Sequence, residues 1–110
     1  MLRMSKIIDI SAKLTNERPK IKISEEKIYE IDDKKNTILK MYRMFREGDV
    51  NDIEMMDEVI KMLLGEKAAK EIDEMNLSIK NYQTIVIAIM AAIQEITFEE
   101  AEELFRKASG

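Results

Sequence analysis

Two short runs near the start of the chain have the pattern of β-strands. Lys20–Ser24 alternates polar and apolar residues, and Lys27–Ile31 is a second β-prone run of similar length. A period of two is typical of half-buried strands. Two glutamates at positions 25 and 26 separate the runs, so we predict a β-hairpin over residues 20–31.

The residues before this hairpin form a less regular segment. Residues 1–19 show no sustained periodic pattern and end in a polar stretch that contains the single proline, Pro19. Within them, Lys6–Ile10 could add a third strand with Ile8 and Ile10 on one face. We therefore interpret residues 1–19 as an irregular N-terminal arm with a possible strand.

Beyond the hairpin, apolar residues recur every three or four positions, which predicts helices. Asp, Asn, Ser, Thr and Gly at the ends of the apolar stripes supply start and stop signals. We predict about five helices within residues 33–108. Their expected bounds are Lys34 to Glu47, Asn51 or Asp52 to Gly65, Glu66 to Met75, a Ser78 cap to Ile96, and a Thr97 cap onward.

The fourth predicted helix is expected to form the centre of the core. At 100° per residue, it collects its apolar residues on about half of its circumference. The fifth is expected to begin with a Thr97–Glu100 capping box. Its inward residues are expected to be Phe98, Ala101, Leu104, Phe105 and Ala108.

These elements predict an α+β fold that is mostly α, with a short N-terminal hairpin, possibly three-stranded, packed on about five helices. A chain of 110 residues is typical of one domain. We assign residues 20–110 to a single compact domain, with the hairpin at 20–31 and the helical part at 33–108.

Composition excludes many kinds of chemistry. The chain has no cysteine and no histidine, so it lacks disulfides, thiol nucleophiles and histidine bases or metal ligands. We expect a protein that is not an enzyme and uses no cofactor. Its formal net charge of −4 argues against a main role in binding phosphate backbones.

Clusters of acidic residues have a simpler interpretation than a site. Those between Asp49 and Glu58 lack the glycine and terminal glutamate spacing of a calcium-binding loop. Acidic side chains at a helix start complement its dipole. Those between Glu99 and Glu103 fit the first turn and the exposed face of the fifth helix. Neither cluster predicts a metal or catalytic site.

Three apolar residues fall away from the expected stripes. Met55 and Met62 are seven positions apart in the second helix and share one face of it. Ile87 lies on the face of the fourth helix that otherwise carries Lys80, Gln83 and Gln94. Either the bundle surrounds these helices on more than one face, or the three residues form a protein-contact surface. Nine methionines favour contact modestly, because thioethers adapt to varied apolar partners.

No targeting or membrane segment is expected. The first ten residues carry charges too often for a signal peptide. The longest apolar run, Ile85–Ile93, has nine residues, against about 20 for a membrane span. We expect a cytoplasmic protein with no membrane contact.

Several stretches resemble the C-terminal half of tail assembly chaperones from long-tailed, siphovirus-type phages and prophages. They are Leu63–Ile72, Met75–Ser78, Tyr82 and Ile85–Ile93. Members of that family often begin with a hairpin comparable to Ile21–Ile23 and Ile28–Asp32. The resemblance covers about residues 20–96, and residues 1–19 lie outside it.

The resemblance implies a protein that binds the helix-rich tape measure protein and helps to recruit tail tube subunits. It also implies self-association, a location in the host cytoplasm during virion assembly, and absence from the mature particle. The family has no catalytic motif to transfer to this chain.

A second hypothesis is a small regulatory or DNA-associated factor. It rests on the basic side of the first helix, which carries Lys34, Lys35, Lys40, Arg43 and Arg46. Acidic residues on both flanks weaken that positive field, so nucleic-acid binding is the lesser expectation.

Overall fold

The β-hairpin forms as the sequence predicts. The computed structural model describes residues 6–14, 17–49 and 52–109 of the chain. Strands β1 (Lys20–Ser24) and β2 (Lys27–Glu30) pair antiparallel, with Ile21 opposite Tyr29. The register shifts between Lys22 and Ser24, which leaves Ile23 as a bulge.

The possible third strand is absent from the described residues. Lys6–Ile10 has no strand pairing, and all five side chains are exposed. The sheet consists of β1 and β2 alone in this part of the chain. Alternating apolar residues are therefore not sufficient here, because a strand also needs an edge within reach to supply hydrogen bonds.

In the described part of the chain, five α-helices follow the hairpin, so the fold is α+β and mostly α, as predicted. They are α1 (Lys35–Glu47), α2 (Ile53–Leu64), α3 (Glu66–Glu74), α4 (Ile79–Gln94) and α5 (Phe98–Ser109). α4 lies at the centre and packs against α2, α5 and β1, while α2 also packs against α1 and α3.

Side-chain caps explain where three helices begin. The Asp52 carboxylate accepts a hydrogen bond from the Glu54 amide, and Ser78 Oγ accepts one from the Asn81 amide. Thr97 and Glu100 form the predicted capping box, with both bonds at 3.0 Å. Each cap satisfies an amide that the helix itself leaves unpaired.

Backbone conformation explains where two helices end. Gly65 separates α2 from α3 with φ of 93° and ψ of 162°, a conformation essentially restricted to glycine. α4 stops at Gln94, two residues before the predicted end, because Glu95 adopts the left-handed conformation. α3 likewise ends one residue before its predicted limit of Met75.

The core forms around α4, with Ile31 joining it from the end of the hairpin. The amide of Asp32 donates to the carbonyl of Leu63 at 2.8 Å, which fixes the hairpin against the end of α2. The fully buried larger side chains are Ile31, Met41, Met56, Ile60, Leu63, Ile72, Ile89, Val59 and Val86.

Several predicted side-chain positions are wrong. Leu104 was expected to point inward but is 43% exposed. Ile53 and Ile79 belong to the predicted apolar stripes of the second and fourth helices, yet both lie at helix starts and are about half exposed. Ile87 is buried, as expected if the bundle surrounds α4 on more than one face, although its own face of the helix otherwise carries polar residues. The cause is that β1 and α5 both pack on α4 and bury more than one face of it. The side chain of Ala108, also predicted to point inward, lies outside the described residues.

Candidate functional site

An open apolar groove lies between β1 and α4. Its volume is about 290 Å³. Its lining consists of Ile21, Lys22, Ile23, Leu77, Asn81, Thr84, Ile85 and Ala88. The groove has the size and the lining to accept a few apolar side chains of a partner.

The α4 side of this groove is a row of small residues. Asn81, Thr84 and Ala88 are spaced three and four positions apart, so they lie along one side of the helix. Thr84 bends its hydroxyl back to the Lys80 carbonyl at 3.0 Å, which satisfies that group locally. Short side chains along this row leave space that larger residues would fill.

The floor and rim of the groove differ in character. Ile21 is 8% exposed and Ile85 is 6% exposed, so these two isoleucines form an apolar floor. Asn81 and Thr84 on the rim are exposed. An apolar floor with a polar rim is the usual anatomy of a protein-binding surface.

The β1 side of the groove is an unpaired strand edge. The Ile31 amide donates to the Pro19 carbonyl at 2.8 Å, which sets the phase of hydrogen bonding along the hairpin. In an antiparallel ladder the bonded residues alternate, so the backbone groups of Lys20 and Lys22 point away from β2. Within the described ranges, no other element supplies them a backbone hydrogen bond.

No protein-family model, curated protein or solved structure matches this chain. The groove is therefore interpreted from its own geometry.

The three residues predicted as a contact surface do not form one patch. Ile87 is 6% exposed and belongs to the core. Met55 is half-buried, and its terminal methyl lies over Gly48 at the end of α1, where a Cβ would otherwise stand. Met62 is half-buried and lines a shallow cleft beside Ile28 of the hairpin.

A polar cluster ties the hairpin to α3. The Tyr29 hydroxyl donates to Glu71 Oε1 at 2.6 Å, and Lys27 Nζ approaches the same oxygen at 3.4 Å. Burial raises the pKa of Tyr29 to about 12, and the hydrogen bond to Glu71 and its charge act in the same direction. The Tyr29 hydrogen bond lowers the pKa of Glu71, with Lys27 assisting. Because the polar groups of these three side chains bond to one another, we interpret the cluster as a structural contact that holds the hairpin against α3.

A second cleft collects acidic groups between α2, α3 and α4. It contains Asp57, Asp73 and Tyr82, whose hydroxyl is 3.5 Å from Asp73 Oδ1. Burial raises the pKa of Asp57, and the nearby Asp73 charge adds to this effect. In the described part of the chain, no three acidic side chains are placed to hold a metal ion.

The basic side of α1 is exposed to solvent. Lys35, Lys40, Arg43 and Arg46 are all exposed, as is Lys34 just before the helix. Asp33, just before the helix, and Glu47, its last residue, are exposed as well. The positive face is therefore short and bounded by opposite charge at both ends.

Sequence reasoning missed the groove because its two walls are 50 or more residues apart. The alternation in β1 and the periodicity in α4 each predicted their own element, but neither showed that the two elements leave a gap. One local signal was present: Asn81, Thr84 and Ala88 are small residues beside the apolar stripe of α4.

Among the described helices, none has both the length and the apolar character for crossing a bilayer.

Proposed function

We propose that this protein is a tail assembly chaperone of a long-tailed phage or prophage, a non-enzymatic factor that binds apolar helical segments of the tape measure protein. The observation that carries the proposal is the open apolar groove between β1 and α4. The resemblance across residues 20–96 supplies the identity of the client.

The groove suits a client of this chemistry. A helix presents apolar side chains at three- and four-residue steps, and a few of these would fill a space of about 290 Å³. The exposed Asn81 and Thr84 on the rim can contact the polar flanks of such a helix. Binding would cover apolar surface that otherwise drives the client to aggregate.

The remaining parts of the proposal follow from the resemblance. The protein would act in the host cytoplasm during assembly, help to recruit tail tube subunits, associate with itself and be absent from the finished particle. In many members of that family a ribosomal frameshift near the end of the gene yields a second, longer product. A slippery seven-nucleotide sequence close to the end of the coding sequence would therefore support this assignment.

Co-expression with the tape measure protein of the same locus tests the proposal. We expect the two proteins to co-purify and the soluble fraction of the tape measure protein to rise. Thr84→Arg places a long charged side chain in the groove and should abolish both effects. Asn36→Arg adds the same charge at an exposed position of α1 and should leave both unchanged.

Circular dichroism and thermal melts should show that both variants are folded. Failure of the wild-type pair to co-purify would count against the assignment. Equal binding by Thr84→Arg and Asn36→Arg would place the client elsewhere on the surface.

A further inference from the structure

Residues 6–14 of the N-terminal arm carry large apolar side chains that the described part of the fold leaves uncovered. Ile7 is 87% exposed, Ile8 79%, Ile10 49% and Leu14 69%. Four such residues within eight positions expose far more apolar surface than isolated surface residues do. An arm of this composition favours a partner surface.

Local hydrogen bonds give the arm a defined turn. Asp9 Oδ1 accepts from the amide and the hydroxyl of Ser11 at 3.0 and 2.7 Å. The Ile10 carbonyl then accepts from the amides of Lys13 and Leu14, which closes one helical turn. The radius of gyration is 17.2 Å, against about 13 Å for a compact chain of this length. The arm therefore extends away from the body.

The groove between β1 and α4 offers this arm an apolar surface and backbone hydrogen-bond partners. Its floor is apolar, and the backbone groups of Lys20 and Lys22 form an unpaired edge beside it. An unpaired edge next to apolar pockets is the usual receptor for an added strand, because the backbone supplies hydrogen bonds and alternate side chains fill the pockets.

We propose that the arm of a second copy of this chain adds to the outer edge of β1 as an antiparallel strand. Asp9 then pairs with Lys22, whose backbone groups face outward. The same register places Ile10 opposite Ile21 and Ile8 opposite Ile23, so both arm isoleucines enter the groove. Successive residues point to opposite faces, so Ile7 remains on the solvent side.

Charge complementarity selects this register and direction. Besides Asp9 opposite Lys22, the antiparallel arrangement brings Lys6 to the level of Glu25, in the turn that follows β1. A parallel strand with Asp9 at Lys22 would place Lys6 at Pro19 and lose the second pair. Lys22 and Glu25 now pair with each other at 3.0 Å, with side chains 53% and 90% exposed. An exposed pair of this kind exchanges partners at little cost.

Two copies of the chain can exchange their arms in this way. Each would place its arm in the groove of the other, which closes a two-fold dimer and leaves neither edge open. The inference concerns self-association. The arm would occupy the groove that we propose for the client, so the two would compete for it, but the inference itself uses only the arm and the groove beside the edge of β1.

Light scattering after size-exclusion chromatography of the full chain tests the inference. We expect a dimer for the wild type and a monomer for the double variant Ile8→Asp with Ile10→Asp, since charged side chains cannot enter the apolar groove. Ile7→Asp is the matched control, because it carries the same change on the solvent side of the added strand. It should remain a dimer.

Exchange of the central charge pair tests the register. Asp9→Lys alone and Lys22→Asp alone each place like charges opposite one another at both contacts, and we expect dimer dissociation constants weakened about tenfold. An equimolar mixture restores an opposite pair at both contacts. We expect a heterodimer whose affinity returns to the wild-type range.

Three results would overturn the inference. One is a monomeric wild type at high micromolar concentration, including the case in which amide exchange shows the arm protected on its own groove. Another is a dimer that resists Ile8→Asp with Ile10→Asp. A third is a mixture of the charge variants that binds no better than either variant alone. The arm variant leaves the groove empty, so it should still co-purify with the client if the proposed function is right, and the two proposals fail separately.

Discussion

The Tyr29 hydroxyl donates a 2.6 Å hydrogen bond to the carboxylate of Glu71, which lies 42 residues later in the chain. This contact joins β2 to α3 and so holds the hairpin beside the helices. The position of β1, and therefore the width of the groove, depends on this attachment together with the buried Ile31 and the Asp32–Leu63 backbone bond.

Removal of the Tyr29 hydroxyl should destabilise the fold. Tyr29→Phe leaves the Glu71 carboxylate without its shortest partner, and we expect a loss of about 1–2 kcal/mol in the free energy of unfolding. Urea denaturation measures it. Tyr42→Phe is the control, because that hydroxyl is 3.4 Å from Gln94 Nε2 and its residue is 37% exposed. We expect a change within about 0.5 kcal/mol there, and equal effects would contradict the proposed tie.

Stability should depend on pH through Glu71. Its folded pKa lies below its ordinary value of 4.5, chiefly because Tyr29 donates to it. The ionised form therefore favours the fold, and its contribution is present above pH 4.5 and is lost as the pH falls through the folded pKa. Urea denaturation over a series of acidic pH values should show a steeper loss in the wild type than in Glu71→Gln. Parallel curves would contradict the prediction.

Tyr29 should produce the opposite dependence in alkali. Its pKa is raised to about 12, so the protonated phenol favours the fold. This contribution is complete below pH 10.0 and is lost as the pH rises toward about 12. Burial and the Asp73 charge also raise the pKa of Tyr82, so absorbance titration of the three tyrosines should show the latest ionisation at Tyr29. In Glu71→Gln that tyrosine should ionise earlier, while an unchanged curve would remove Glu71 as a cause.

The two described inner glycines should respond differently to alanine. Gly65→Ala forces a side chain into φ of 93° and ψ of 162°, and we expect a loss of about 1–3 kcal/mol from backbone strain. Gly48 has φ of −137°, and an added Cβ meets the flexible end of Met55 and makes an ordinary contact with the Met44 carbonyl oxygen at 3.4 Å. Gly48→Ala should therefore cost less than about 1 kcal/mol. Denaturation midpoints measure both, and a larger loss at Gly48 would contradict this account.

Ile87 should behave as a core residue. Ile87→Ala leaves a cavity beside α4, and we expect a loss of about 2–5 kcal/mol. Ile79→Ala on the same helix should cost about 1 kcal/mol or less, because Ile79 is 53% exposed. Thermal and urea unfolding measure the difference. An Ile87→Ala variant with unchanged stability but weakened association would restore the contact hypothesis for this residue.

The DNA-associated alternative predicts salt-sensitive retention of the wild type on immobilised duplex DNA. We expect no such retention, because acidic residues bound the basic side of α1 at both ends. Retention that falls steeply with salt and disappears in Lys40→Ala with Arg43→Ala would favour the alternative over the chaperone proposal.

The sequence by itself determined the local elements. Alternation predicted the hairpin, three- and four-residue periodicity predicted five helices, and the caps at Asp52, Ser78 and Thr97 lie where local chemistry placed them. These features were readable because each depends on residues within a few positions of one another, and hydrogen bonds at a helix start need no distant partner.

Only the tertiary structure decided which faces are covered. Ile87 is buried and Leu104 is 43% exposed because burial depends on which elements pack against α4 and α5, and periodicity contains no information about neighbours. The groove arises for the same reason: β1 and α4 are distant in sequence, and the space between Ile21 and Ala88 exists only once both are in place. Apolar patterning specifies that a surface will be buried, whereas the packing of the whole chain specifies what buries it.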